Sequence, residues 1–216
     1  MPVRKIKPGY CNLTAKVPSK KIQRMVDAES SLERDFIFLL EHDSNVRSFE
    51  EQPIKINVGC RTYTPDILVS YNDGEKYLYE VKYRSELKKN WFKLKPKFKA
   101  SIAFCKQENI KFKIVTDKEI RTPLLKNLEF LSHFSRTISP LETTTSQILI
   151  DALISLRKSS PKELLAACFC CKINRAQAAP VLWRLIANGS VHIDLSSPLT
   201  MYSTISISRD IWEAIV

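Results

Sequence analysis

Residues 63–82 read Tyr63-Thr64-Pro65-Asp66-Ile67-Leu68-Val69-Ser70-Tyr71, then Asn72-Asp73-Gly74-Glu75, then Lys76-Tyr77-Leu78-Tyr79-Glu80-Val81-Lys82. The outer runs are rich in β-branched and aromatic residues and the middle is a turn sequence, so the stretch predicts a β-hairpin. Glu80 and Lys82 are two residues apart and project to one face of their strand. The turn decides whether Asp66 joins them. A two-residue loop at Asp73-Gly74 sets Asp66 opposite Val81, with its carboxylate on the wrong side. A three-residue loop of Asn72, Asp73 and Gly74, with Gly74 in the left-handed position of a G1 bulge, sets Asp66 opposite Glu80. Only the bulged turn gathers the three charges.

Carboxylates and an ammonium at such positions are costly to bury unless they hold a metal or one another. A third acid stands upstream. From Ala28 to Asp43 the pattern is helical, with Leu32, Phe36, Ile37, Leu39 and Leu40 on one face. At ~100° per residue, Glu33 falls inside that arc, and Arg34 and Asp35 fall outside it. The plain alternative for Glu33 is a boundary side chain reaching for water. The full set of Glu33, Pro65-Asp66 and Glu80-Val81-Lys82 is what metal-dependent phosphodiester hydrolysis needs. The acids and the carbonyl of Val81 would hold Mg²⁺, with Mn²⁺ as substitute, and Lys82 would position or polarise the attacking water. Oxygen-only ligands exclude a preference for zinc.

Charge points the same way. Of the 216 residues, 1–140 hold 27 Lys and Arg against 17 acids, and 141–216 hold 7 against 6. A basic front half of this kind suits a polyanion, although a solvated basic surface has the same composition. Residues 82–121 carry 13 Lys and Arg against 4 acids, with Tyr83, Trp91, Phe92, Phe98 and Phe104 among them. Lys88, Lys89, Lys93, Lys95, Lys97 and Lys99 are therefore candidate contacts to a DNA backbone. Pro96 is read as opening a helix that runs to about Asn109.

No segment approaches the ~18–20 apolar residues of a membrane span, and the charged N-terminus has no apolar signal-peptide run. The six cysteines come with no second Cys or His pair at zinc spacing and read as reduced, mostly buried thiols, with Cys168, Cys170 and Cys171 on a buried helix. A cytoplasmic protein is expected. Three domains are expected: a basic extended arm (1–27), an α/β catalytic domain (28–138), and an α+β domain (139–216) after a polar linker. The last reads as helices at 146–157, 161–169 and 174–188 followed by β-like stretches at 190–195 and 202–207. That is the winged-helix order. Its third helix offers Arg175 and Arg184 among small and apolar residues, which suits a protein contact better than a DNA groove.

Glu29 to Phe36, Tyr63 to Val69, Tyr79 to Lys82 and the run Ile114-Val115-Thr116-Asp117-Lys118-Glu119-Ile120 together resemble the TnsA endonuclease family. These are the nuclease subunits of heteromeric cut-and-paste transposases. The resemblance covers residues 25–135 and implies a restriction-endonuclease-like, PD-(D/E)xK fold. It makes Glu33, Asp66 and Glu80 metal-site acids and Lys82 the catalytic lysine. Some members have glutamine where Glu80 stands. It further implies work at transposon ends beside a DDE-type strand-transfer subunit (TnsB) and an AAA+ ATPase regulator (TnsC), with this subunit cutting the 5′ ends. The chain length would suit the CRISPR-associated transposons, and a prokaryotic, nucleoid-associated setting follows. Two other readings stand beside it: a stand-alone restriction or repair nuclease of the same fold, and a catalytically idle module bridging DNA and a partner.

Overall fold

A computed structural model describes residues 15–208. The chain divides into two compact units, Met1–Thr122 and Pro123–Val216.

The first unit is built on a four-stranded sheet in the order β3 (Val46–Glu51), β6 (Ile67–Tyr71), β7 (Lys76–Lys82), β8 (Lys111–Thr116). The first three strands are antiparallel and β8 runs parallel to β7. A parallel neighbour needs a crossover, which is supplied by α2 (Arg84–Gln107). Helix α1 (Ser31–His42) buries Leu32, Phe36, Ile37 and Leu40 against the sheet face carrying Ile67, Val69, Tyr79 and Val81. On the opposite face Leu68, Leu78 and Phe112 pack with Ile56, Ala100, Phe104 and Cys105. Period-2 alternation then puts Asp66, Glu80 and Lys82 on that second face. A small hairpin, β4 (Ile56–Val58) and β5 (Arg61–Tyr63), pairs ahead of β6, and α3 (Asp117–Ile120) follows β8 behind a Thr116/Glu119 capping box.

Several expectations need correction. Residues 15–28 are not an extended arm. They form a hairpin, β1 (Ala15–Ser19) with β2 (Arg24–Ala28), that buries Val17, Val26 and Ala28 in the α1 core. Its turn docks on α1, with the Lys20 and Lys21 N–H groups donating to Glu41 at 2.9 and 3.4 Å. The Lys21 ammonium is spent on the carbonyls of Asp43 and Val46. The rest of the expected arm, 1–14, lies outside the described residues. Helix α2 begins at Arg84 instead of Pro96, which lies inside it, and non-helical Asn90 marks a kink. Asp35, expected to face outward, is 4% exposed, because Arg121 and Arg34 close over it at 2.9 and 2.6 Å. Cys60, Cys170 and Cys171 are exposed, not buried, while Cys105 is buried.

The second unit contains α4 (Pro123–Ser132), α5 (Thr143–Leu156), α6 (Pro161–Cys168) and α7 (Lys172–Ala187). Its small antiparallel sheet has the order β10 (Val191–Ile193), β11 (Ile205–Ile207), β9 (Lys158–Ser159). Leu149, Leu153, Leu164, Leu182, Leu185 and Ile205 form its core. The division falls at 122/123 where the sequence suggested 138/139, and α4 is the reason. The Asn127 side chain donates to the carbonyls of Leu195 and Ser197 at 2.9 and 2.8 Å and accepts from the Leu199 N–H at 3.1 Å. Leu131 joins the same core, and Phe130 packs edge-on against Trp183.

Candidate active site

The turn between β6 and β7 has the bulged form. Tyr71 N–H donates to Glu75, Gly74 N–H donates to Tyr71, and Gly74 takes φ +88°. Only glycine adopts this conformation without strain. The pairing of Ile67 with Tyr79 carries one step further to set Asp66 opposite Glu80. One row across the sheet therefore reads Gln52, Asp66, Glu80, Ile114, with the Gln52 N–H donating to the Asp66 carbonyl at 2.8 Å.

The structure brings Asp66, Glu80 and Lys82 together. Lys82 Nζ lies 3.2 Å from Asp66 Oδ2 and 3.2 Å from Glu80 Oε1. It also donates to the Val81 carbonyl at 3.0 Å, so that oxygen faces the same space. Asp66 Oδ2 accepts the Val81 N–H at 2.7 Å, which fixes the carboxylate. Glu80 is 1% exposed, and its Oε2 accepts a short hydrogen bond from the Tyr63 hydroxyl. Tyr63 was not among the expected residues, although it stands just before Thr64-Pro65-Asp66.

Glu33 is placed differently from its partners. It lies in the first turn of α1, where its carboxylate accepts from the Glu29 N–H at 2.9 Å and the Ser30 hydroxyl at 3.0 Å. It is half-buried and feels the charge of Asp66. Among the described residues, no three His, Cys, Asp or Glu side chains form a ready cluster for a metal ion.

The electrostatics of the site favour added positive charge. Burial, then the nearby Asp66 carboxylate, pushes Glu33 and Glu80 each from 4.5 up to about 7. Burial also raises Asp66, against the pull of Lys82 and the Val81 N–H. Burial would lower the Lys82 ammonium, but the carboxylates of Asp66 and Glu80 outweigh it and hold the pKa above its usual value. One ammonium among three acids leaves the site short of cation. The oxygens of Asp66, Glu80 and Val81 are hard donors of the type Mg²⁺ takes. Gln52, next to Asp66 in the row, has a buried Oε1 with no hydrogen-bond partner. The residues present fit a hard divalent cation.

The six expected DNA lysines are all on α2 but do not share one face. Beyond the kink at Asn90, Lys93 and Lys97 are four residues apart on one side, and Lys95 and Lys99 lie on the opposite side. Lys97 Nζ stands 5.3 Å over the Tyr63 ring, so the Lys93/Lys97 side is the one next to the acids. In the second unit, α7 begins at Lys172, which is exposed. Arg175 is engaged with the carbonyls of Phe169 and Cys170 at 2.6 and 3.2 Å, and Arg184 is buried against Glu142.

Two family models match this chain. The TnsA-like endonuclease N-terminal model matches residues 43–117, and the TnsA endonuclease C-terminal model matches residues 119–195. The chain belongs to the TnsA endonuclease family. Comparison with curated proteins found no match. The N-terminal match holds Asp66, Glu80 and Lys82 and starts after α1, so Glu33 lies outside it. The join between the two matches, at 117–119, lies close to the division after Thr122. TnsA membership indicates a transposase endonuclease subunit working with DNA and other Tns subunits. Among the described residues, no helix is long and apolar enough to cross a membrane.

Proposed function

We propose that this protein is the Mg²⁺-dependent endonuclease subunit of a cut-and-paste transposase, hydrolysing phosphodiester bonds at the 5′ ends of the transposon. The observation that carries the proposal is the convergence of Asp66 and Glu80 on one ammonium, with Lys82 Nζ 3.2 Å from each. The first unit is then a restriction-endonuclease-like core. Its β6/β7 hairpin presents two acids and a lysine on one sheet face, and parallel β8 extends that face beside β7.

Asp66, Glu80 and the Val81 carbonyl would hold the cation, Mg²⁺ or in its place Mn²⁺, and Glu33 would complete the set directly or through water. When bound, the cation supplies positive charge to the phosphate and makes a bound water easier to deprotonate. Lys82 stays protonated, held by the two carboxylates. It lies beside the attacking water and the scissile phosphate, where a fixed charge offsets the negative charge that grows in the transition state. The Tyr63 hydroxyl fixes the rotamer of Glu80. Lys93 and Lys97 contact phosphates on the side of the acids.

From α5 onward the second unit runs helix, strand, helix, helix, hairpin, an order that supports reading this part as a winged helix whose third helix is α7. With Arg175 and Arg184 occupied internally, its third helix is a better protein surface than a groove reader, and exposed Ile173 and Leu141 suit such a contact. We assign this unit to docking on the ATPase regulator TnsC or the strand-transfer subunit TnsB.

The test is reconstitution. Alone, the protein should cut transposon-end DNA at a near-zero rate. With its TnsB-like and TnsC-like partners and Mg²⁺ it should nick the 5′ ends. Efficient cutting without partners would point to a stand-alone nuclease, and no cutting in the full mixture would leave only a bridging module.

A further inference from the structure

Helix α2 carries an aromatic feature that the phosphate chemistry above does not use. Immediately after the kink at Asn90, Trp91 is partly exposed and Phe92 is 89% exposed. Exposing a whole phenyl ring gives up a burial worth ~1.5–3 kcal/mol, which is unusual on an ordered helix. The two rings do not stand on a flat surface. With Leu87 and Ile114 they line an open groove of about 740 Å³, rimmed by Arg84 and Lys88. That volume lies within the ~300–1,000 Å³ range of ligand sites. Trp91 is braced from behind by Phe98, ring centroids 6.1 Å apart, so it offers a fixed face.

The position of the groove identifies its occupant. Its floor is Ile114 and Thr116 of β8, and the parallel register pairs Glu80 with Ile114 and Lys82 with Thr116. The floor is thus one strand away from the acid and the lysine, on the same face of the sheet. The rim is basic, and Lys89 continues the positive charge along α2. Glu119, the acid at the groove, is turned to the Thr116 N–H at 2.9 Å and closes the capping box. An apolar protein helix would gain nothing from this basic rim. A nucleotide would use both parts, with phosphates on the rim and a base on the rings.

We propose that this groove receives an unpaired nucleobase of the DNA strand bound at Asp66, Glu80 and Lys82. The base stacks on Phe92 and Trp91 while Arg84 and Lys88 hold the adjoining phosphates. A base still stacked in a duplex shows no free face, so the groove selects strands that are frayed or distorted beside the cut. Every base has a π-face, so the preference is for unpaired structure and not for sequence. The inference rests on the nuclease reading, since it is DNA at that site which brings a base to the groove.

The experiment measures binding of the full-length chain to a duplex carrying a short unpaired thymidine tract. A duplex with the same phosphates but abasic sites in the tract is the comparison. Wild-type protein should prefer the thymidines by roughly 5- to 150-fold, the range for one base stacked on an aromatic side chain. Phe92→Ala should lose the preference with the salt dependence of binding unchanged, and Phe92→Trp should restore it. Equal binding of both duplexes by wild type would overturn the inference and leave the nuclease reading intact. So would a Phe92→Ala variant that keeps the preference but no longer captures a partner subunit, because the groove would then be a protein site. Absence of salt-dependent DNA binding would overturn both readings.

Discussion

The Tyr63 hydroxyl donates a hydrogen bond to the buried carboxylate of Glu80, from a strand seventeen residues upstream. This bond lowers a pKa that burial and the Asp66 charge have raised to about 7. Tyr63→Phe removes the donor and keeps the ring under Lys97. Glu80 should then titrate higher and bind Mg²⁺ more weakly at neutral pH. Leaving a buried acceptor unpaired costs about 1–3 kcal/mol, which urea unfolding of the variant should show. Higher Mg²⁺ should rescue cleavage in Tyr63→Phe, a response that a purely structural defect would not give.

The metal-free protein should respond to pH through Glu33 and Glu80. Both rise from 4.5 to about 7 in the folded state, so the folded chain binds protons more tightly than the unfolded chain. Their contribution to stability is full below the unfolded value of 4.5 and is lost as pH rises through about 7. Melting temperatures without cation should therefore fall across that window. Added Mg²⁺ should oppose the fall, and its affinity should rise with pH because binding displaces protons. Differential scanning calorimetry at several pH values, with and without Mg²⁺, reads both effects.

Lys82→Ala should slow 5′ cleavage by roughly 10²-fold or more, the usual effect of losing one electrostatic contact in a transition state. Lys82→Arg should recover only part of it, because a planar fork does not replace a point charge. Single-turnover rates measure both variants. An unchanged rate in Lys82→Ala would remove this residue from the mechanism.

The two sides of α2 should differ on DNA. Reversing Lys93 and Lys97 to Glu should reduce the salt slope of binding more than reversing Lys95 and Lys99, since only the first pair lies on the Tyr63 side. Affinities across a salt series test this. Equal effects from both pairs would mean that DNA wraps the helix.

The parts legible in the sequence are those set by local chemistry. Asn72-Asp73-Gly74 announces a turn of two or three loop residues, and the need to gather Asp66, Glu80 and Lys82 selects the bulged form, whose register puts Asp66 opposite Glu80. The apolar arc of α1 was legible for the same reason. What was hidden depends on distant partners. Strand β3 has four polar or charged residues in six, Arg47, Ser48, Glu50 and Glu51, and no local alternation announces it. Glu51 is buried because Arg24 of β2 pairs with it. Asp35 looked solvent-facing on a helical wheel until Arg121, 86 residues away, covered it. Glu33 shows the converse case. Its inward angle was legible, but its hydrogen bonds to Glu29 and Ser30 at the helix start were not expected.

The central claim is that Asp66 belongs to a cation-dependent cutting site. The most direct measurement maps 5′ nicks at transposon ends in the reconstituted complex, comparing wild type with Asp66→Ala at matched folding and partner binding. Loss of 5′ nicking in Asp66→Ala, together with loss of Mg²⁺ binding by calorimetry, is the predicted result. Nicking by Asp66→Ala at the wild-type rate would contradict the account.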